Sequence, residues 1–396
     1  METNAADEAF RAEVRAFLES ELTDELRAAG EKRTSVWQEI ESSMAWQSIL
    51  NSRGWAAPDW PVEYGGTDWS LSQKYIFAQE CAAAGTPGII PMGLKMCGPM
   101  LIGYGTEEQK AHYLPRMLRG DDIWCQGYSE PGSGSDLASL KTQAVADGDD
   151  YVVNGTKIWT SYAQHANMIF ALVRTDAESK PQQGISFLLI DMQTPGITVK
   201  PIINLEGSHE LNQVFFDNVR VPKANRVGAE NQGWTVAKYL LEFERFSMSS
   251  VELRRLLSKI AKLGCLTQDG APFADHPEFQ ARYQALAVEA AGLEGSEQRV
   301  LRQLSAGNSP GSVSSVLNAR SSEVLQAADM LGVEVAAYYG MPLQPDALRA
   351  VPSEPVVGPE EAVTMTASFL NNRMRTIAGG SAEIQRNIVA KSILGL

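Results

Sequence analysis

The hydrophobic pattern changes its period twice along this chain of 396 residues. Up to about residue 120, apolar residues recur at helical spacing, as at Phe10, Val14 and Leu18. In the same segment, Thr106 followed by Gln109 is a capping box that predicts the start of a helix. From 121 to 230, short apolar runs alternate with turn-forming residues, which is typical of β-strands. Helical spacing then returns, with one long periodic stretch over 234–263. We therefore predict an α+β protein with an N-terminal helical domain (1–120), a middle β domain (121–230) and a C-terminal helical domain (231–396).

The middle segment contains the clearest strand signals. Residues 168–173 and 185–190 are apolar runs of strand length, and Asn154-Gly155 between two further runs predicts a tight hairpin. Six or so short strands with tight turns favour a barrel or sandwich over βαβ units. Neither a GxGxxG after a strand nor a GxxxxGK[ST] motif occurs, which excludes a Rossmann or P-loop nucleotide site.

The charge balance excludes several classes of partner. There are 34 Lys and Arg residues against 48 Asp and Glu, a net charge of −14, which argues against non-specific binding to nucleic acid or to an anionic membrane. The sequence contains no apolar run of about 18 residues, so it predicts no membrane span. The cysteines and histidines are scattered without metal-ligand spacing. We expect a cytoplasmic protein without a metal site.

Two stretches of the middle segment could bind a ligand. In the run Tyr-Ser-Glu-Pro-Gly-Ser-Gly-Ser-Asp (128–136), small residues would let backbone N–H groups approach closely, and Ser129 and Ser135 would add hydroxyl donors. A polar helix-to-strand linker is the alternative. Trp159 could stack on a planar cofactor while the hydroxyl of Ser161 binds it. The alternative there is a core tryptophan.

A third candidate stretch lies near the C-terminus. Gly379 and Gly380 are followed by Ser381 and a helical pattern, so the backbone of this turn could pass close to a ligand. A plain turn between two helices is the alternative.

Glu244 is the candidate general base. Residues three and four positions from it on a helix are apolar or uncharged: Leu240, Leu241, Ser247 and Met248. Burial on such a stripe would raise the pKa of Glu244 from about 4.3, as a base working near neutrality requires. Glu242, in contrast, has Lys238 and Arg245 at these offsets and can pair at the surface. The alternative is that Glu244 faces solvent or a distant arginine.

Together these motifs resemble the acyl-CoA dehydrogenase family over essentially the whole chain. The resemblance implies an N-terminal helical domain, a middle β-barrel or sandwich-like domain and a C-terminal four-helix bundle. It further implies that the chain binds FAD and an acyl-CoA thioester. In this family a carboxylate removes the α-proton while hydride leaves the β-carbon for flavin N5, giving the trans-2-enoyl-CoA. Electrons then pass to an electron-transfer flavoprotein.

The resemblance also assigns roles to residues of the middle segment. Tyr128 and Ser129 correspond to residues that contact the pyrimidine side of the flavin ring. Trp159 would pack against the ring, and Ser161 would bond near N5. Ser135 would lie near the phosphates of the cofactor or of CoA.

The catalytic carboxylate departs from the commonest family pattern. Many members carry it in a Tyr-Glu-Gly-Thr motif, but the corresponding position here is Gly379. A second branch carries it on the long helix immediately before an arginine, which is the position of Glu244-Arg245. Arg245 and Gly379 would then lie on the substrate side, with Glu242 near the pantetheine end. Gly380 and Ser381 would lie close to the flavin.

Two further departures concern the adenine side of FAD. Family homotetramers usually supply an Arg before a Phe-Gly and a Gln…Gly-Gly-x-Gly segment across a subunit interface, but 271–274 lacks the Arg and 326–332 lacks the glycine pair. Relatives that act on bulky substrates, such as steroid side-chain CoA esters, are heterotetramers. The resemblance therefore implies a homo- or hetero-oligomer. A half-site subunit with little activity alone is the alternative function, and an acyl-CoA oxidase is a third.

Overall fold

The computed structural model describes residues 4–34, 38–245, 248–268, 271–305 and 312–396, and the side chains of 242–245, 267–268 and 304–305 lie outside that description. The chain divides into two compact units. The helical unit comprises Met1–Trp46, Trp69–Gly88 and Arg245–Leu396, and the sheet unit comprises Gln47–Asp68 and Ile89–Glu244. The three-domain boundaries at 120 and 230 stay a prediction.

The described part of the first 120 residues is helical, as predicted. The helices among the described residues are α1 (Ala5–Glu21), α2 (Asp24–Glu31), α3 (Ile40–Ser52), α4 (Leu71–Ala84), α5 (Gly98–Tyr104) and α6 (Glu107–Arg119). A π-helical segment, Met92–Cys97, precedes α5. Thr106 caps α6 and exchanges hydrogen bonds with Gln109, which confirms the predicted capping box.

A mixed sheet follows. Its strands are β1 (Trp124–Gly127), β2 (Gln143–Asp147), β3 (Asp150–Lys157), β4 (Met168–Arg174), β5 (Ile185–Asp191), β6 (Ile197–Ile203), β7 (His209–Pro222) and β8 (Arg226–Val227). Their order is β6-β7-β3-β2-β4-β5-β8, with β1 parallel to β4. Apart from their last residues, β4 and β5 are buried throughout, which explains why they read as unbroken apolar runs.

The hairpin predicted at Asn154-Gly155 is wrong, because both residues lie inside β3. The chain instead reverses between β2 and β3 at Gly148 and Asp149, where Gly148 adopts a φ of 59°. Gly-Asp is also a two-residue hairpin signal, with glycine at the first position of the turn. The sequence thus contains two turn signals six residues apart, and the local pattern does not rank them.

Gly155 serves a close approach between strands. The pairing of β3 with β7 shifts register between Val153 and Gly155, which is a β-bulge. A Cβ added at Gly155 would lie 2.5 Å from Thr142 Oγ1. Asn154 Oδ1 accepts a hydrogen bond from the backbone N–H of Asn218 (2.8 Å), which holds the bulge. The residues that suggested a turn are therefore needed within the strand.

The chain is helical again after the sheet. The described elements are α7 (Gly233–Arg245), α8 (Ser249–Gly264), β9 (Thr267–Gln268), β10 (Ala271–Pro272), α9 (Pro277–Ser305), α10 (Val313–Ala336), α11 (Glu360–Val363), α12 (Met365–Asn371) and α13 (Ala382–Val389). The single periodic stretch predicted over 234–263 is two helices, because Met248 before α8 is not helical. Helices α8, α9 and α10 share one apolar core that includes Leu257, Leu293 and Leu325.

None of the helices within the described ranges combines the length and apolar character that crossing a bilayer requires. Nor do these ranges bring together three or more His, Cys, Asp or Glu side chains in an arrangement that could hold a metal ion.

Candidate functional site

Glu130 anchors the Ser-Glu-Pro-Gly run to the sheet. Its buried carboxylate accepts hydrogen bonds from the backbone N–H groups of Lys141 (2.6 Å) and Thr142 (2.9 Å) and from Lys157 Nζ (2.8 Å). Burial lowers the pKa of Lys157 to about 8. Burial alone would raise the pKa of Glu130, but the charge of Lys157 holds it below its usual value. The pair stays ionised at neutral pH and fixes the run in place.

The serines of this run differ in their exposure. Ser133 is buried and donates its hydroxyl to the Asp136 carbonyl (2.9 Å), so it stabilises the loop itself. Ser129 is half-buried, and its carbonyl accepts from the backbone N–H of Ile158 (2.9 Å). Ser135 is exposed. The run is therefore tied to the end of β3, with Ser135 facing outward.

Tyr128 packs into the core of the sheet unit. It is 6% exposed, and its ring contacts those of Phe170 and Phe187 edge to face, at centroid distances of 5.9 and 6.3 Å. Its contact with a flavin ring stays a prediction.

The turn at 158–162 contains two left-handed residues, Trp159 (φ 60°) and Tyr162 (φ 59°). Bulky residues rarely adopt positive φ, which costs roughly 1–3 kcal/mol each. Strand β7 imposes this conformation, since Thr160 N–H donates to the Asn212 carbonyl (3.0 Å) and Tyr162 N–H donates to the Glu210 carbonyl (2.9 Å). Trp159 is nevertheless 56% exposed, which rules out a core tryptophan. A strained, rigid turn thus presents an aromatic face outward.

Beside this indole, Ser161 Oγ donates to Oε1 of Glu210 (3.1 Å), a residue that is only 2% exposed. The sequence reasoning missed Glu210 because the two residues lie 49 positions apart. A signal was present, however. Inward and outward positions alternate along the first half of β7, and Glu210 occupies the first inward position, followed by Asn212 and Val214. A carboxylate at such a position requires a polar partner.

Gly379 and Gly380 form the predicted turn before a helix, with φ of 68° and 97°. Ser381 caps α13, and its hydroxyl accepts from the Ile384 N–H (3.4 Å). Gln385 Nε2 donates to the carbonyls of both glycines. The turn is held by its own helix, and its predicted contact with flavin and thioester stays a prediction.

The side chains of Glu242, Glu244 and Arg245 lie outside the described part of the chain. The backbone of Glu244 belongs to α7, on which Ala237 and Leu240 are completely buried. Positions i, i+3 and i+7 share one face of a helix, so the helical register places Glu244 on the face of these two residues.

The segments that the resemblance assigns to the adenine side of FAD, 271–274 and 326–332, lie in the helical unit, and the side chains of Gln326 and Asp329 bond within that unit. Asp329 is 1% exposed and accepts from Asn372 Nδ2 (2.8 Å). Burial raises the pKa of Asp329 to about 6, in spite of this hydrogen bond. Gln326 Nε2 donates to the Asn372 carbonyl (2.9 Å), and Phe273 packs against the helical core.

The described residues thus differ between the two halves of the FAD site that the resemblance implies. The sheet unit offers an exposed indole, a hydroxyl bonded to Glu210 and a loop whose Ser129 carbonyl accepts from Ile158 N–H, which would suit a planar ring with polar edges. The segments that would meet pyrophosphate and adenine use Gln326 and Asp329 to bond their own helical unit.

Models of a known family match most of the chain. The N-terminal, middle and C-terminal domains of acyl-CoA dehydrogenases match residues 4–121, 125–219 and 231–394. The chain is 36% identical to the acyl-CoA dehydrogenase IpdE1 of Mycobacterium tuberculosis, covering 98% of this chain and 97% of that protein.

Solved structures give the same result. The Tcur3481-Tcur3483 steroid ACAD has a TM-score of 0.84 and 29% identity, covering 100% of this chain and 98% of that one. The ChsE4-ChsE5 complex from Mycobacterium tuberculosis has a TM-score of 0.82 and 31% identity, covering 100% and 99%. The fold class predicted from the sequence is confirmed.

Proposed function

The chain belongs to the acyl-CoA dehydrogenase family, and from this premise we propose that it is the catalytic chain of a FAD-dependent enzyme that oxidises an acyl-CoA thioester to the trans-2-enoyl-CoA. The observation that carries this proposal is the 158–162 turn, because a strained Trp159 that is 56% exposed gains nothing for the fold itself. An aromatic surface of this kind suits a bound planar ring.

In the proposed site, the chain's residues divide the work. The indole of Trp159 packs on the flavin ring, while Ser161 and Ser129 bond its polar edge and Ser135 lies near a phosphate. FAD supplies an acceptor for the hydride that leaves the substrate β-carbon. Glu244 takes the α-proton, which the thioester carbonyl makes acidic.

Replacing the base tests this assignment. Glu244→Gln keeps the size of the side chain but cannot accept the proton, so turnover should fall by roughly 10²–10⁴-fold with bound flavin retained. Glu242→Gln on the same helix is the matched control and should lose far less. Wild-type turnover in E244Q would show that the base lies elsewhere.

A second acyl-CoA dehydrogenase-like chain completes the site in this proposal. Support comes from the inward hydrogen bonds of Gln326 and Asp329, which leave these residues without a role at a neighbour's FAD. Two of the similar structures carry titles that name two chains. The alternative, a supporting subunit without catalysis, predicts that E244Q in the assembled enzyme has no effect.

Substrate and acceptor follow from the same resemblance. Small residues at Ala378 and Gly379 favour a bulky or branched acyl group, and the similar structure titled steroid ACAD supports a steroid side-chain CoA ester. Reoxidation passes to an electron-transfer flavoprotein. Comparing kcat/KM for a steroid side-chain thioester and butyryl-CoA tests the preference, and equal values would overturn it.

A further inference from the structure

We propose that Glu210 is a positioning residue that makes the Ser161 hydroxyl a hydrogen-bond acceptor toward the bound flavin. This inference rests on the proposed function, because it requires a flavin at the 158–162 turn.

The contact between the two residues is well defined by its surroundings. Ser161 Oγ lies 3.1 Å from Glu210 Oε1, and Glu210 is 2% exposed. The backbone carbonyl of Glu210 also accepts from Tyr162 N–H (2.9 Å). Glu210 therefore holds Ser161 through its side chain and Tyr162 through its backbone. Asn212 Nδ2 donates to the Thr160 carbonyl (3.0 Å) and completes the support.

The donor and acceptor count gives the consequence. A serine hydroxyl has one proton and two lone pairs. Because the proton is given to Glu210, only the lone pairs remain for a ligand. A hydroxyl that can only accept would bond to N5 of reduced flavin, which carries a hydrogen. It would make no hydrogen bond to N5 of oxidised flavin, which carries none. The Glu210–Ser161 pair therefore favours the reduced flavin.

A double-mutant cycle tests the pair on the FAD-loaded protein, isolated with its second chain if it needs one. Four proteins are compared: wild type, E210Q, S161A and the double variant. The amide of E210Q can donate as well as accept, which frees the Ser161 proton to point at the flavin. FAD content is read from absorbance, and the midpoint potential from equilibration with reference dyes.

The expected result is a coupling between the two positions. E210Q should shift the flavin equilibrium toward the oxidised form, and this shift should be about tenfold larger when residue 161 is Ser than when it is Ala. A tenfold difference corresponds to a midpoint potential about 30 mV lower for a two-electron couple. Any effect of E210Q that does not pass through Ser161 acts in both backgrounds and cancels. A residue that only supported the fold would change stability or FAD content without this coupling.

Glu206 provides the matched control. It is also buried in this unit and accepts from a serine, Ser208, whereas the Ser161 hydroxyl donates to Glu210. E206Q should therefore show no coupling with S161A.

Equal shifts for E210Q in both backgrounds would overturn the inference and leave the proposed function standing. If E210Q does not fold, E210D takes its place: its carboxylate is one methylene shorter and withdraws from Ser161, so the same coupling to S161A must appear for the inference to hold. Absence of FAD from the wild-type assembly would overturn the proposed function, and this inference with it.

Discussion

The turn at 158–162 and the segment at 326–332 differ in how far their ligand-binding candidates are exposed. In the turn, Trp159 adopts a strained backbone and is 56% exposed, and Ser161 lies beside it on a fixed support. In the helical segment, Gln326 Nε2 donates to the Asn372 carbonyl and Asp329 Oδ2 accepts from Asn372 Nδ2, while Asp329 Oδ1 is buried without a partner among the described residues. Strain and exposure mark the turn as a surface for a ligand, whereas the polar groups of the segment are buried inside their own unit.

This difference shows how half of a cofactor site can be recognised. A bulky residue at positive φ costs stability unless something outside the fold gains from it. The carboxylate of Asp329, in contrast, is 1% exposed and does not reach the surface. In the proposed function, the turn therefore belongs to the ring half of the FAD site, and segment 326–332 contributes no contact to the adenine half.

The largest effect is expected from breaking the buried ion pair that holds the ligand loop. Lys157→Met leaves Glu130 buried without its cation, which costs about 3–5 kcal/mol of unfolding free energy and loosens the loop. Urea denaturation and FAD content measure both consequences. Lys141→Met, at an exposed position that bonds Glu130 only through its backbone, is the control and should change neither.

Asp329 allows the comparison to be tested from the helical side. Its pKa of about 6 in the folded protein exceeds that of the unfolded chain, because burial outweighs Asn372 and the guanidinium of Arg373, 4.0 Å away. Asp329 therefore costs no stability below about pH 4, and its cost is complete above pH 6, at about 3 kcal/mol for a shift of about two pKa units. Asp329→Asn should stabilise the protein at pH 8, by about half as much at pH 5, and hardly at all below pH 4.

The contrasting control is Asp346. Its carboxylate accepts hydrogen bonds from the backbone N–H groups of Glu354 and Ser353, which hold its pKa below the usual value. Asp346→Asn should destabilise the protein at pH 8 and less at acidic pH. Equal Tm values for D329N and wild type at pH 8 would contradict the assignment of an unfavourable buried charge.

The smallest effect is expected from removing the exposed indole of the 158–162 turn. Trp159→Ala should weaken FAD binding about five- to tenfold, since an aromatic contact contributes about 1 kcal/mol. Titration of the apoprotein with FAD measures it. Tyr338→Ala removes another exposed aromatic side chain, in the helical unit, and should leave affinity unchanged. Equal losses for the two variants would remove the distinction between the regions.

Local signals predicted the elements that local energetics decides. The capping box at Thr106, the strands at 168–173 and 185–190 and the turn at Gly379 follow from interactions within a few residues. The hairpin at Asn154 failed because a non-local contact, the bulge against β7, decides that position.

The site was predictable in part for the same reason. Motifs located Trp159 and Ser161, but neither the strain of the turn nor the carboxylate behind it can be read from neighbouring residues. Glu210 comes to Ser161 through the pairing of the turn with β7. The break at Met248 likewise divides a stretch whose periodicity continues.

The most direct test compares the affinity of the isolated chain for FAD and for riboflavin, which has the same ring without pyrophosphate or adenine. If this chain contributes only the ring half, the two dissociation constants should agree within about tenfold, or 1.4 kcal/mol. FAD bound a thousandfold more tightly than riboflavin would show that the chain supplies the adenine half as well, and would contradict the account.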